Sequence, residues 1–186
     1  MFQIRIHGRG GQGVVTGAEL LSMAAFDQGM RAQAFPSFGS ERMGAPVMAF
    51  CRISENEIRL REPVMNPDVL IIQDTTLLHQ SDLFAGLNTS GYLVINTSRS
   101  PDALGLGDYF DQFAPNHIAT IAASRLAQEY LGRASPNTAL LGAFAALTGQ
   151  VTLDSVCKAI PEKFPGAMGE KNIAVARAAH DAIRII

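Results

Sequence analysis

The 186-residue sequence is poor in the residues that build metal and redox centres, with only two cysteines and four histidines. Cys51 and Cys157 lie far apart, and no two histidines follow the His-x-x-x-His spacing. An iron–sulfur cluster usually takes about four thiolates, and a structural zinc site takes about four cysteine or histidine ligands in close pairs. The sequence therefore predicts no metal site, and any redox centre that this chain serves would lie on another chain.

Charged residues are also scarce, at 17% of the chain against 47% hydrophobic residues. The formal net charge is −2 and no basic tract occurs, which argues against nucleic-acid binding. No apolar run approaches the roughly 18 residues that a membrane helix needs. Arg5, His7 and Arg9 interrupt the first apolar stretch, unlike a signal peptide. We therefore expect a cytoplasmic chain with no membrane insertion, whose charge-poor surface is partly covered by partner chains.

Short apolar runs alternate with helical patterns, which predicts a single-domain α/β fold with a Rossmann-like layered sheet and flanking helices. Residues 1–125 are predicted to form the sheet core and residues 126–186 a helical C-terminal part. The predicted strands are 2–7, 31–35, a hairpin of 45–54 with 56–62, then 68–74, 91–97 and 116–121. The predicted helices are 13–28, 75–87, 122–131, 135–149, 152–164 and 168–186.

A glycine-rich segment, Gly8-Arg9-Gly10-Gly11-Gln12-Gly13, fits G-x-G-x-x-G between the first strand and the first helix. The dinucleotide fingerprint also needs an acidic residue at the end of the second strand, but that strand ends Ala34-Phe35-Pro36. Asp27 has roughly the right spacing but lies in the last turn of the helix. Two uses stay open: the backbone N–H groups contact a phosphate, or the glycines let a helix or another chain pack closely.

A second unusual segment, "FPSFGSERMGAPVMAF", combines aromatic residues, methionine, arginine and turn-forming residues. Aromatic residues, methionine and arginine are enriched in the buried cores of protein interfaces. The segment is therefore predicted to contact another chain, although an ordinary crossover loop with a solvated Glu-Arg pair would also fit. The predicted interface residues are Phe38, Gly39, Glu41, Arg42, Met43 and Gly44.

These two segments together resemble the gamma subunit of the pyruvate:ferredoxin oxidoreductase family of 2-oxoacid:acceptor oxidoreductases. The resemblance continues through "DVLIIQDTTLL", "GYLVINT", "SPNTALLGAFAALTG" and "EKNIAVARAAHDAI", so it covers nearly the whole chain in order. The combination with "FGSERMGAP" and "PNTALLGAF" makes the match specific. Met43 departs from the pattern, because many relatives carry a second arginine there.

The resemblance implies a non-catalytic gamma subunit with no catalytic residue and no cofactor bound by this chain alone. Family complexes decarboxylate a 2-oxoacid, such as pyruvate or an aryl or branched 2-oxoacid, on thiamine diphosphate and Mg²⁺. Iron–sulfur clusters carry the electrons to ferredoxin or to an NAD-reducing subunit, and coenzyme A takes the acyl group. The implied partners are alpha-, beta- and delta-type subunits, as in pyruvate and phenylglyoxylate enzymes. The glycine segment would then contribute an assembly surface or part of the coenzyme A site.

A self-sufficient Rossmann-type oxidoreductase that binds its own nucleotide is the alternative interpretation. The N-terminus of a helix contributes about 0.3–1 kcal/mol to binding an anion, and up to about 2 kcal/mol when partly buried. A micromolar ligand needs roughly 8 kcal/mol. The glycine segment alone would therefore not hold a nucleotide, and this alternative requires further binding residues elsewhere in the fold.

Overall fold

The computed structural model describes residues 1–37, 43–80 and 82–186, and these form one mixed sheet with helices. Strand order in the sheet is β2-β3-β1-β4-β5-β6-β7. Strands β1, β4, β5 and β6 are parallel, whereas β3 is antiparallel to both of its neighbours and β7 is antiparallel to β6. Within the described ranges the strands are β1 (Phe2–Arg9), β2 (Arg31–Pro36), β3 (Pro46–Ser54), β4 (Val69–Ile72), β5 (Tyr92–Asn96), β6 (Ile118–Ile121) and β7 (Arg184–Ile185).

The long helices all pack on one face of this sheet, where they form the larger hydrophobic core. Residues alternate between the faces, so Val69 and Ile71 of β4 point into this core while Leu70 and Ile72 point to the opposite side. The helices of the described residues are α1 (Val14–Asp27), α2 (Gly107–Phe110), α3 (Ala123–Leu131), α4 (Asn137–Thr148), α5 (Leu153–Lys163) and α6 (Ala167–Ala182).

The opposite face is covered by short turns and irregular segments, and two buried arginines hold them there. Arg5 donates hydrogen bonds to the carbonyl oxygens of Leu83 (3.0 Å) and Ala85 (2.7 Å). Arg52, which is 1% exposed, donates to the carbonyl oxygen of Glu62 at 2.6 Å. An irregular segment leaves its buried carbonyl groups unpaired, and these guanidinium groups supply the missing donors.

The sequence-based prediction of an α/β sheet with a helical C-terminal part is confirmed, but three element predictions were wrong. Residues 56–62 do not form the second strand of a hairpin, because β3 already pairs with β2 on one side and β1 on the other. The predicted helix 75–87 is only a 3₁₀ turn at Thr75–His79, followed by further turns in the residues described. The last helix ends at Ala182, and Arg184–Ile185 instead extends the sheet by pairing with β6.

A close crossing of α4 and α6 yields the first testable prediction. A Cβ atom at Gly142 would overlap the carbonyl oxygen of Ala176 and lie 2.9 Å from its carbonyl carbon. Since that obstacle is helix backbone, Gly142→Ala should lower the free energy of unfolding by about 1–3 kcal/mol. Gly17→Ala is the matched control, because its new methyl group would meet only ordinary contacts at 3.7–3.9 Å. Urea denaturation that ranks the two variants equally would contradict this packing.

Candidate functional site

The candidate site lies at the carboxyl edge of the parallel strands, where chain connections leave the sheet in opposite directions. From β1 the chain passes through α1 on the helical face to β2, whereas from β4 it crosses the other face to β5. Ligand sites in open α/β sheets occur at such a reversal, outside the carboxyl ends of the strands. The glycine loop (residues 8–13) and the residues that follow β4 meet at this point.

Two glycines of this loop are required by close packing inside the chain. A Cβ atom at Gly8 would lie 2.6 Å from Cγ2 of Val14 and 3.2 Å from Cβ of Gln73. Gly13 has a positive φ of 71°, and a Cβ atom there would lie 2.5 Å from Nδ2 of Asn137. The glycines thus allow β1, α1 and the first residue of α4 to pack closely. Close packing is one of the two uses of the glycine segment that the sequence analysis left open.

The glycine loop also contacts the second predicted segment. Gly10 forms a β-bridge to Met43, with backbone hydrogen bonds from Gly44 to Gly10 (3.0 Å) and from Gly10 to Ala45 (2.9 Å). A Cβ atom at Gly11, whose φ is 94°, would lie 2.5 Å from Sδ of Met43. The structure therefore joins parts of the two segments through residues that are 33 positions apart in sequence.

Met43 is the most exposed large apolar side chain among the described residues, at 87%. Gly44 follows it in a turn with a positive φ of 77°. Phe38, Gly39, Glu41 and Arg42 lie outside the described residues, so their predicted interface role stays a prediction.

Arg9 is already engaged by other groups of the site. Its Nε and Nη2 donate to Oγ1 of Thr76 at 3.0 and 2.7 Å, and its Nη1 donates to the carbonyl oxygen of Gly44 at 3.1 Å. Its Nε also lies 3.4 Å from Oδ2 of Asp74. The guanidinium thus bridges the end of β4 to residues 43–45, and a phosphate at this point would have to replace these contacts.

Gln12 and Asp74 complete the network between β1 and β4. Gln12 accepts a hydrogen bond from the backbone N–H of Arg9 through Oε1 (2.8 Å) and donates through Nε2 to Oδ2 of Asp74 (2.8 Å). Burial alone would raise the pKa of the Asp74 carboxyl. The hydrogen bonds from Thr76 and Gln12 and the charge of Arg9 outweigh burial, and lower that pKa below its ordinary value. Asp74 is therefore an ionised acceptor at neutral pH.

The first turn of α1 begins at this network and carries no acidic residue and no side-chain cap. The residue at the N-cap position, Gly13, has no side chain to supply one. Gln73, 2% exposed, lies beneath this turn with Oε1 unpartnered among the residues described. A helix start with unpaired N–H groups favours a negative charge or an acceptor in front of it. The sequence analysis did not single out Gln73 and Asp74, although a polar pair directly after a buried parallel strand is a usable signal.

The structure gives no support to a self-contained dinucleotide site. Strand β2 runs parallel to β1, but β3 lies between them, so the end of β2 is displaced from the glycine loop. Asp27 accepts hydrogen bonds from Oγ of Ser155 (3.0 Å) and Nζ of Lys158 (3.3 Å) on α5. Its carboxylate thus joins two helices and is not available to a ribose.

A cavity of about 460 Å³ on the irregular face contains Arg5 and His7. Nε of Arg5 donates to Nε2 of His7 at 2.9 Å, which places the imidazole proton on Nδ1. The pKa of His7 is lowered to about 4, mainly because the side chain is buried and also because the positive charge of Arg5 is close. His7 is therefore a neutral histidine that accepts a hydrogen bond from Arg5, as expected for an interior residue.

Within residues 1–37, 43–80 and 82–186, no three His, Cys, Asp or Glu side chains come together as a metal-binding group. Nor does any helix in these ranges have the length and apolar character needed to cross a membrane.

Comparison with known proteins identifies the family. A family model described as pyruvate ferredoxin/flavodoxin oxidoreductase matches residues 3–182. The pyruvate synthase subunit PorC of Methanothermobacter thermautotrophicus is 49% identical over 183 residues, covering 98% of this chain and 96% of that protein. The chain belongs to the pyruvate ferredoxin/flavodoxin oxidoreductase family.

Two further relatives agree with this assignment. The common gamma subunit of the pyruvate/ketoisovalerate oxidoreductases of Thermococcus kodakarensis is 46% identical, over 98% of this chain and 95% of that subunit. The crystal structure of pyruvate oxidoreductase subunit PORC from Thermotoga maritima matches with a TM-score of 0.83 and 33% identity, over 99% of this chain and 97% of that one. The family resemblance of the sequence is thus confirmed, and the chain is a gamma-type subunit of a 2-oxoacid oxidoreductase complex.

Packing around the glycine loop gives the second prediction. Gly13→Ala introduces both an unfavourable positive φ and a clash with Asn137, so it should lower the free energy of unfolding by about 2–4 kcal/mol. Gly29→Ala is the matched control, because Gly29 has a similar φ of 79° and open space around its Cβ position. Gly29→Ala should lower the free energy of unfolding by only about 1–2 kcal/mol. Equal losses in chemical denaturation would show that Asn137 does not constrain the loop.

Proposed function

We propose that this chain is a non-catalytic assembly subunit of a complex that oxidatively decarboxylates a 2-oxoacid to its acyl-CoA and CO₂. The companion alpha- and beta-type chains would hold thiamine diphosphate with Mg²⁺, and a delta-type chain would carry iron–sulfur clusters toward ferredoxin or an NAD-reducing subunit. With only two cysteines, this chain cannot by itself supply the four thiolates that an iron–sulfur cluster usually takes. Family membership and the arrangement of the carboxyl edge support the assembly role.

The bridge between Gly10 and Met43 is the observation that carries the proposal. It joins the glycine loop and residues 43–45 into one surface, which we name the docking surface. Met43 projects from this surface at 87% exposure, and an exposed methionine adapts readily to a protein partner. We assign the alpha-type companion to this surface.

Substrate choice is proposed to reside in the companion chains. The chain resembles a pyruvate synthase subunit and a subunit common to pyruvate and ketoisovalerate oxidoreductases to nearly the same degree, at 49% and 46% identity. A subunit that serves enzymes for two different 2-oxoacids does not itself distinguish between them. Pyruvate is the favoured substrate, and branched or aryl 2-oxoacids, as in phenylglyoxylate enzymes, are the other candidates.

A contact with coenzyme A is proposed as a second use of the same edge. The uncapped first turn of α1 offers backbone N–H groups, which favour a phosphate oxygen. Arg9 lies on the β4 side of this turn, where it is 32% exposed. The glycine loop would thus contribute to a phosphate site that another subunit completes, because one helix start is too weak to hold coenzyme A alone.

The assembly role predicts that a charge at Met43 weakens binding of the companion subunits. Met43→Glu should reduce the affinity of the full-length chain for the remaining subunits at least tenfold, because a carboxylate would be buried against an apolar partner. Met65→Glu is the matched control, at an exposed methionine (69%) outside the docking surface. Reconstitution followed by size-exclusion chromatography measures both. Unchanged co-elution of the Met43 variant would contradict the proposed surface.

If the glycine loop contacts coenzyme A, Gly11→Ala should impair the step that uses coenzyme A more than the earlier step that releases CO₂. The substitution strains the loop at a φ of 94°, so the full reaction should lose at least fivefold in kcat/KM for coenzyme A. Exchange of CO₂ with the carboxyl group of the 2-oxoacid does not require acyl transfer, and should be retained in the assembled complex. Equal loss of both activities in complexes of normal composition would exclude a selective role toward coenzyme A.

A further inference from the structure

Asp74 contacts the glycine loop directly and is linked to residues 43–45 through Arg9, although it belongs to neither segment. It follows β4 at the carboxyl edge, and its side chain is 17% exposed. Its two carboxylate oxygens have separate partners. Oδ1 accepts from the backbone N–H (2.9 Å) and the hydroxyl (2.6 Å) of Thr76, and so caps the 3₁₀ turn that follows β4. Oδ2 faces Gln12 and Arg9.

The contact of Oδ2 with Gln12 fixes the glycine loop. Nε2 of Gln12 donates to Oδ2 of Asp74 at 2.8 Å, and this leaves Oε1 of the same amide to accept the backbone N–H of Arg9. The amide lies across Gly8, since a Cβ atom at Gly8 would be 3.0 Å from Oε1 of Gln12. The loop is thereby bound to the end of β4 through one side chain.

The contact of Oδ2 with Arg9 links Asp74 to residues 43–45, the second segment of the docking surface. The same oxygen lies 3.4 Å from Nε of Arg9, whose Nη1 donates to the carbonyl oxygen of Gly44 at 3.1 Å. Gly44 is the neighbour of Met43, so this hydrogen bond adds to the backbone pairing with Gly10 that positions the exposed methionine. One carboxylate oxygen therefore leads to both segments that form the docking surface.

We propose that Asp74 is a positioning residue for subunit assembly, holding the glycine loop through Gln12 and residues 43–45 through Arg9 in the arrangement that the companion subunit binds. The inference rests on the proposed function in one respect, namely that this surface is the one that docks. An anchor built on a single ionised oxygen arranges both segments before the partner arrives, and this reduces the entropy lost on association.

The substitution Asp74→Asn separates this role from capping of the turn, because asparagine keeps one side-chain oxygen. Its one remaining oxygen can still accept from Thr76, but its amide then presents N–H donors to Nε2 of Gln12 and to Arg9, which are also donors. Asp74→Asn should weaken binding of the companion subunits at least tenfold. In the free chain, hydrogen exchange should accelerate in residues 8–13 and 43–46, while thermal stability changes by no more than about 3 °C.

Asp68→Asn is the matched control at the other end of β4. Asp68 accepts the backbone N–H of Gln3 through Oδ2 at 2.7 Å, and asparagine keeps one oxygen for that bond. The control removes the same charge at the opposite end of β4 and should leave subunit affinity unchanged. The double variant Gln12→Glu/Asp74→Asn exchanges donor and acceptor between the two side chains. It should restore the link to the glycine loop and recover part of the affinity that Asp74→Asn loses, while the link through Arg9 stays lost.

Several outcomes would overturn the inference. Unchanged hydrogen exchange in both segments of the Asp74→Asn chain would show that the carboxylate does not hold them. Faster exchange with unchanged subunit affinity would show that their order does not matter for docking. Failure of the double variant to recover affinity would argue against the Gln12 contact. If Met43→Glu and Asp74→Asn both leave affinity unchanged while exchange accelerates, the assigned docking surface is wrong and the local anchor still stands.

Discussion

The turn from β1 into α1 is the constraint on which the site depends, because there is no room in it for side chains at Gly8 and Gly13. Val14 and Gln73 fill the space beside Gly8, and Asn137 fills the space beside Gly13. Strand, helix and the start of α4 therefore meet with their backbones close together. This close meeting places the glycine loop, the end of β4 and residues 43–45 at one edge of the sheet.

Because of strand β3, the glycine motif at this edge does not form the dinucleotide site in which such a motif usually occurs. In a dinucleotide-binding sheet the second strand lies beside the first, and its end supplies the ribose-binding acid. Here β3 occupies that place and pairs with β1 along Phe2–Arg9, and the turn before β3 continues the pairing to Gly10. The backbone of Gly10 is thus engaged with a neighbouring segment of the same chain, whereas the first turn of α1 stays uncapped.

The two faces of the sheet are covered by different kinds of structure, and this difference explains why two arginines are buried. Helices cover one face, and their backbone hydrogen bonds are satisfied internally. Turns and irregular segments cover the other, where Arg5 and Arg52 donate to carbonyl groups that have no helical partner. Arg52 also lies 5.3 Å from the centre of the Phe35 ring. These arginines therefore act as structural donors on the face that the irregular segments cover.

The sequence by itself determined the alternation of strands and helices, the glycine turn and the family, because these depend on local spacing and on motifs in a fixed order. It did not determine that residues 56–62 would be excluded from the sheet, since strand pairing is decided by which edge is already occupied. It also did not reveal that Asp74 joins Gln12 to Arg9, or that Asn137 reaches Gly13, because these contacts cross 62 and 124 positions of the chain. Only the tertiary structure brings such residues within hydrogen-bonding or steric range, since side-chain contact depends on distance in space and not on separation in sequence.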